Sequence, residues 1–312
     1  MLKVENLIKK YGSNTALADI SFHIGKGEIV GFLGPNGAGK STTMNIITGY
    51  ISSNFGSVYV DGDEILENPE AAKKKIGYLP EQPPLYMEMT VNEYLNFVYE
   101  LRACDLPREA HLDEICSVVK IRDVRDRLIR NLSKGYKQRV GIAAALIGDP
   151  ELIILDEPTI GLDPKQIIEV RNLIRALGKN HTVILSTHIL SEAQAVCDRM
   201  IIIDHGHIVA DGKTEEINQF IMDNRRYKIF VSGPQAEVLA LIKGSAGVLH
   251  CEVLSERDGD AIAYAVEAER GVDVRKPLFY ALSAKNFPIM GLEAVGASLE
   301  DVFISLIDKE EA

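Results

Sequence analysis

Along the first two hundred residues, short apolar runs alternate with stretches of helical spacing. "EIVGFL", "KIGYLP", "ELIILDE", "TVILST" and "RMIIID" are rich in Ile and Val and apolar at consecutive positions. A strand buried on both faces carries such a run, so these predict the strands of a mixed, helix-covered sheet. Between the second and third run the period changes. "TVNEYLNFVYELRA" opens with Thr90 and has Glu93 three residues on, a capping box ahead of a helix. "PREAHLDEICSVVKI" places Pro107 in a first helical turn. A mostly helical insert, about residues 85–150, therefore interrupts the sheet.

Beyond Phe220 the pattern changes again. "RYKIFVSG", "CEVLSE", "AIAYAVEAE" and "PIMGLEAV" predict strands, with helices over "QAEVLALIKG" and "DVRKPLFYALSAKN". The order is βαββαβ, a ferredoxin-like α+β layout, followed by an amphipathic helix over "SLEDVFISLI". The expected domains are 1–220 and 221–312, with the linker near residues 223–226.

Charge narrows the partners. The 312 residues carry 34 basic and 45 acidic side chains, a net charge of -11, and both parts are acidic. A nucleic-acid partner is therefore not expected. The N-terminus lacks the apolar core of a signal peptide, and "VGIAAALIG" is far too short to span a membrane. Any spanning helices must come from another chain. The cysteines at 104, 116, 197 and 251 have neither metal nor redox spacing and read as reduced, packed thiols of a cytosolic protein.

The chemistry begins with "GPNGAGKS", Gly34 to Ser41, which fits G-x-x-x-x-G-K-[ST] between a predicted strand and a predicted helix. Backbone N–H groups of such a loop wrap phosphates. Lys40 can reach the β- and γ-phosphates, and Ser41 can ligate Mg²⁺. "LIILDEP" ends a buried strand in Asp156, able to hold the Mg²⁺ shell, and Glu157, able to take a proton from an attacking water. His188, after another buried strand, can contact a γ-phosphate or serve structure alone. Tyr11 can stack on adenine or cover a sheet edge. In "LSKGYKQR", Ser133 is a sound N-cap, and Gly135 leaves the helix start open to an anion.

Taken in order, these motifs resemble the ATP-binding subunits of ABC transporters over about residues 1–220. The resemblance implies a P-loop NTPase core with a helical signature subdomain, and the cofactors ATP and Mg²⁺. Tyr11 corresponds to the adenine-stacking aromatic. The Walker A stretch is Gly34, Pro35, Asn36, Gly37, Ala38, Gly39, Lys40, Ser41 and Thr42. Asp156 and Glu157 correspond to the Walker B acid and catalytic base, His188 to the switch histidine, and Asp163 in "IGLD" to the aspartate loop. Leu132 to Tyr136 corresponds to the signature, which in the family binds the nucleotide of a second copy. The family pattern there is Leu-Ser-Gly-Gly-Gln; Lys134 and Tyr136 depart from it, while Ser133 and Gly135 remain. The Q-loop position falls on Glu81, a possible Mg²⁺ ligand, with Gln82 beside it.

"YLPE…PLY", "LSKGY" and "ASLEDVFISL" are similar to the ABC-2-type exporter branch, near its gliding-motility and sodium or multidrug efflux members. The implied protein is an ATPase that closes as a head-to-tail dimer and drives a separate transmembrane permease from the inner face of the membrane. The alternative is a soluble ABC-type ATPase with a regulatory or assembly role and no transported substrate. A GTP switch fares poorly, since Asn-Lys-x-Asp for guanine is absent and a signature helix would have no purpose.

Overall fold

The computed structural model describes residues 1–217, 226–269 and 271–295. The chain divides into two compact units, Met1–Thr214 and Glu215–Ala312. The expected boundary after Phe220, most of the linker and the closing helix over "SLEDVFISLI" lie outside the described residues.

Unit 1 opens with an antiparallel sheet that the run-by-run pattern did not announce. It contains β1 (Leu2–Tyr11), β2 (Asn14–Ile24), β4 (Phe55–Val60) and β5 (Asp63–Glu64), in the order β2-β1-β4-β5. A second sheet contains β3 (Ile29–Leu33), β6 (Ile76–Leu79), β7 (Leu152–Asp156), β8 (Thr182–Thr187), β9 (Arg199–Asp204) and β10 (His207–Lys213), in the order β10-β9-β3-β8-β7-β6. All its pairings are parallel except β10 with β9. β3, β7 and β8 are buried at every position, which is why they read as unbroken apolar runs. Leu2, Leu7 and Ile20 of the antiparallel sheet join Phe32, Ile154 and Ile201 of the parallel one in a single core.

The helices of this unit are α1 (Lys40–Ile47), α2 (Pro69–Lys74), α3 (Val91–Leu101), α4 (Arg108–Val118), α5 (Lys134–Leu146), α6 (Pro164–Leu177) and α7 (Leu190–Val196). α3, α4 and α5 make up the helical insert. Pro107 stands one place outside the expected position: it is the N-cap of α4, and its carbonyl accepts from His111 N at 2.9 Å. The four cysteines are unpaired.

The second unit runs β11 (Arg226–Ser232), α8 (Gln235–Lys243), β12 (Val248–Asp258), β13 (Ala261–Ala268), α9 (Arg275–Ser283) and β14 (Ile289–Val295). Its antiparallel sheet has the order β12-β13-β11-β14, and β12 is longer at both ends than "CEVLSE". Tyr227, Ile229 and Val231, alternating along β11, pack with Val238, Ile242, Leu278 and Leu282.

The capping box that starts α3 has both halves. Glu93 N donates to Thr90 Oγ1 at 3.2 Å, and Thr90 N donates to Glu93 Oε2 at 2.8 Å. Thr90→Ala leaves a helix-end donor unsatisfied and should cost about 1 kcal/mol, read as a lower urea midpoint at unchanged slope.

Candidate functional site

Because β3, β6, β7 and β8 run parallel, the segments that follow them leave the sheet along one edge. These segments carry the phosphate loop, Glu81, Glu157 and His188 in turn. In open α/β sheets ligands bind outside the carboxyl ends of the strands, which is this edge. A cleft of about 300 Å³ opens there, lined by Asn36, Gly37, Gly39, Lys40, Ser41 and Thr42 of the loop, with Glu81, Glu157 and His188. Ala16, which carries no motif, and Ile160, which opens "IGLD", complete the wall.

The loop's shape rests on Gly39. It is the N-cap of α1 at φ 114°, and a Cβ there would fall 2.8 Å from Ala16 O. Lys40 is buried, and its Nζ donates to Gly34 O at 2.7 Å and Pro35 O at 3.1 Å. Burial holds its ammonium below the usual lysine value, against the opposing pull of Glu157, Asp156 and Glu81.

The two acids after β7 are anchored differently. Asp156 is buried and accepts from Ser186 Oγ at 2.7 Å through Oδ1. Glu157 is also buried, and its N–H donates to Ser186 O at 2.9 Å. Its φ is 48°, a left-handed conformation that eight other non-glycine residues also adopt among the described residues. His188 Nδ1 donates to Glu157 Oε1 at 2.8 Å, and Lys40 Nζ lies 4.0 Å from the same oxygen. A carboxylate so held faces the loop and can take a proton from a water lying between them. Ser186 is the positioning residue that motif reading passed over; its signal was its place in "STH", two residues before His188.

Other expected residues stand apart from the cleft. Tyr11 is half-exposed at the end of β1 with Lys9 Nζ 5.2 Å from its ring centroid, and it does not line the wall. Gln82 does not line it either, whereas Glu81 does. Ser133, Gly135 and Asp163 are also absent from it. Ser133 is the N-cap of α5, its Oγ accepting from Tyr136 N at 3.4 Å, and Asp163 is the N-cap of α6, its Oδ1 accepting from Gln166 N at 2.9 Å. Tyr136 donates its hydroxyl to Asp123 Oδ2 at 2.9 Å.

No group of three or more His, Cys, Asp or Glu forms a metal site among the described residues. This donor set suits Mg²⁺ in the way that ion is commonly held. Ser41 and Glu81 line the cleft, and both, like Asp156, are hard oxygen donors of the kind Mg²⁺ takes alongside phosphate and water.

Comparison with known proteins decides the family. The ABC transporter sequence family matches residues 17–160. The bacitracin transport ATP-binding protein BcrA of Bacillus licheniformis is 32% identical over 98% of this chain and 97% of its own length. The linearmycin resistance ATP-binding protein LnrL of Bacillus subtilis is 33% identical over 98% of each. The chain belongs to the ABC transporter ATP-binding family. This ABC subunit is an ATPase, and its first unit has the ABC cassette fold. The dimeric structure of the bacterial ABC transporter cassette MJ0796 superposes with a TM-score of 0.63 at 28% identity, covering 69% of this chain and 99% of that one. No helix among the described residues is long and apolar enough to cross a membrane.

Lys40→Met should abolish ATP hydrolysis without lowering the melting temperature measured in nucleotide-free buffer. The depressed lysine pKa means that the unfolded chain holds this proton more tightly. Its adverse effect on stability is therefore full below the folded pKa and fades as pH rises toward the ordinary lysine value. A marked drop in melting temperature at neutral pH would show that the buried ammonium is net stabilising.

Proposed function

We propose that this ABC ATPase powers an ABC-2-type exporter by closing head to tail with a second copy over two ATP molecules. The observation that carries this reading is the division of the expected site. The cleft holds Lys40, Ser41, Glu157 and His188 but neither Ser133, Gly135 nor Asp163. One chain thus offers two half-sites, and a second copy supplies the missing half of each. The cassette MJ0796, similar in fold, is dimeric, which supports a dimer here.

In this reading Gly34 to Thr42 cradle the phosphates, Lys40 exchanges its loop carbonyls for phosphate oxygens, and Tyr11 stacks on adenine. Glu157 accepts the proton of the attacking water, and His188 orients it toward the γ-phosphate. Ser133 and Gly135 of the other copy meet that phosphate, with Asp163 beside them. Ser41, Asp156 and Glu81 would hold Mg²⁺, which when bound would offset the negative charge of the phosphates. Catalysis is mostly positioning and charge stabilisation.

The exporter branch is supported by the relatives matched over nearly the whole chain, one a bacitracin transport protein and the other a linearmycin resistance protein. The membrane partner is a separate permease on whose inner face the ATPase sits. Its docking place is an apolar groove of about 590 Å³ between the 78–86 segment, α3 and α5. There the Tyr86 and Phe97 rings meet edge-on at 5.3 Å. The second unit is read as a ferredoxin-like accessory domain.

Glu157→Gln should retain ATP unhydrolysed and accumulate a dimer, seen as a doubled mass by light scattering at saturating ATP. A variant that stays monomeric there overturns the shared site. Glu81→Ala should raise the Mg²⁺ concentration for half-maximal ATPase activity. A rise on Gln82→Ala alone would transfer that role to Gln82.

A further inference from the structure

The signature start and the aspartate loop are separate in sequence, yet the structure interleaves them within one chain. Each has a glycine on which a side chain of the other lies. A Cβ built on Gly161, whose φ is +67°, would fall 2.1 Å from Lys134 Nζ and 3.2 Å from its Cε. A Cβ on Gly135 would fall 2.7 Å from Gln166 Cδ, 2.8 Å from Oε1 and 2.9 Å from Nε2. The end of Lys134 therefore lies on the backbone of the aspartate loop. The amide of Gln166 lies on the backbone of the signature.

The caps tie the same segments down. Ser133 caps α5 one residue before Lys134, and Asp163 caps α6 by accepting from Gln166 N. Asp163 thus fixes the residue whose side chain covers Gly135, and Ser133 sets the start of the turn that carries Lys134. Lys134 is also one of the two places where the signature departs from the family pattern. A glycine at 134 has no side chain to reach Gly161.

We infer that Lys134 and Gln166 are positioning residues that lock the signature start to the aspartate loop of the same chain, so that both meet the second copy as one body. This rests on the shared-site reading above. Two loops that must be ordered separately on association each lose conformational freedom at closure. Two loops already locked together lose less, and a preorganised face binds better for the same contacts. The lock also makes a displacement at Ser133 reach Asp163, through Gln166.

The test uses the full chain carrying Glu157→Gln, with dimer formation followed by light scattering against ATP concentration. Nucleotide affinity is measured in parallel on the monomer, with a fluorescent ATP analogue at protein concentrations too low for association. Lys134→Ala and Gln166→Ala should each raise the ATP needed for half-maximal dimer by about fivefold or more, with the monomer's nucleotide affinity unchanged. Lys134→Arg, whose stem still reaches Gly161, should restore the parent value. The double Ala variant should shift little further than the larger single one, because either change opens the same lock. The inference is overturned if the single variants dimerise at the parent's ATP concentration, if the monomer's affinity falls by the same factor, if Lys134→Arg behaves as Lys134→Ala does, or if the two effects multiply independently. A Glu157→Gln parent that never dimerises refutes the shared site and this inference with it. That failure is distinguishable because it shows before any second substitution is made.

Discussion

The parallel pairing of β3, β8, β7 and β6 constrains everything that follows in the first unit. Parallel strands in one sheet deliver their C-terminal ends to one edge, so residues more than a hundred positions apart emerge side by side. Lys40 leaves after β3, Glu157 after β7 and His188 after β8. A pairing slipped by one residue would turn the side chains of the moved strand to the opposite face. β3, β7 and β8 are buried at every position, so such a slip would displace packed side chains on both faces of the sheet.

Around that edge the chain gathers buried charge, which water would otherwise solvate. Each group has a specific answer. Lys40 finds carbonyls of its own loop, Asp156 the Ser186 hydroxyl, and Glu157 the His188 imidazole. Removing one of these partners leaves an uncompensated buried charge, which costs more than the lost bond itself. The site is therefore preorganised by the same contacts that make its charges tolerable.

Much of this was legible in the sequence, for identifiable reasons. Strands buried on both faces advertise themselves as apolar runs, and the phosphate loop has fixed glycine spacing. The capping box of α3 is read from Thr90 and Glu93 alone. The N-terminal antiparallel sheet left a fainter trace because it mixes exposed with buried positions and carries register shifts along β1. The pairing of Ser186 with Asp156 and the approach of Gln166 to Gly135 were illegible because each joins separate segments of the chain, and only the folded backbone brings them together. The residues of the cleft wall were sorted by the fold as well: Glu81 faces the loop whereas Gln82, its neighbour, does not line the cleft.

The left-handed backbone at Glu157 has one more consequence. Glycine and asparagine adopt that conformation with less strain than glutamate, so the chain's own backbone argues against the side chain it carries there. The carboxylate persists because β7, the Ser186 carbonyl and His188 together outweigh the local preference. In the proposed reaction that peptide unit carries the base, so glycine or asparagine there would ease the backbone and remove the carboxylate at one stroke.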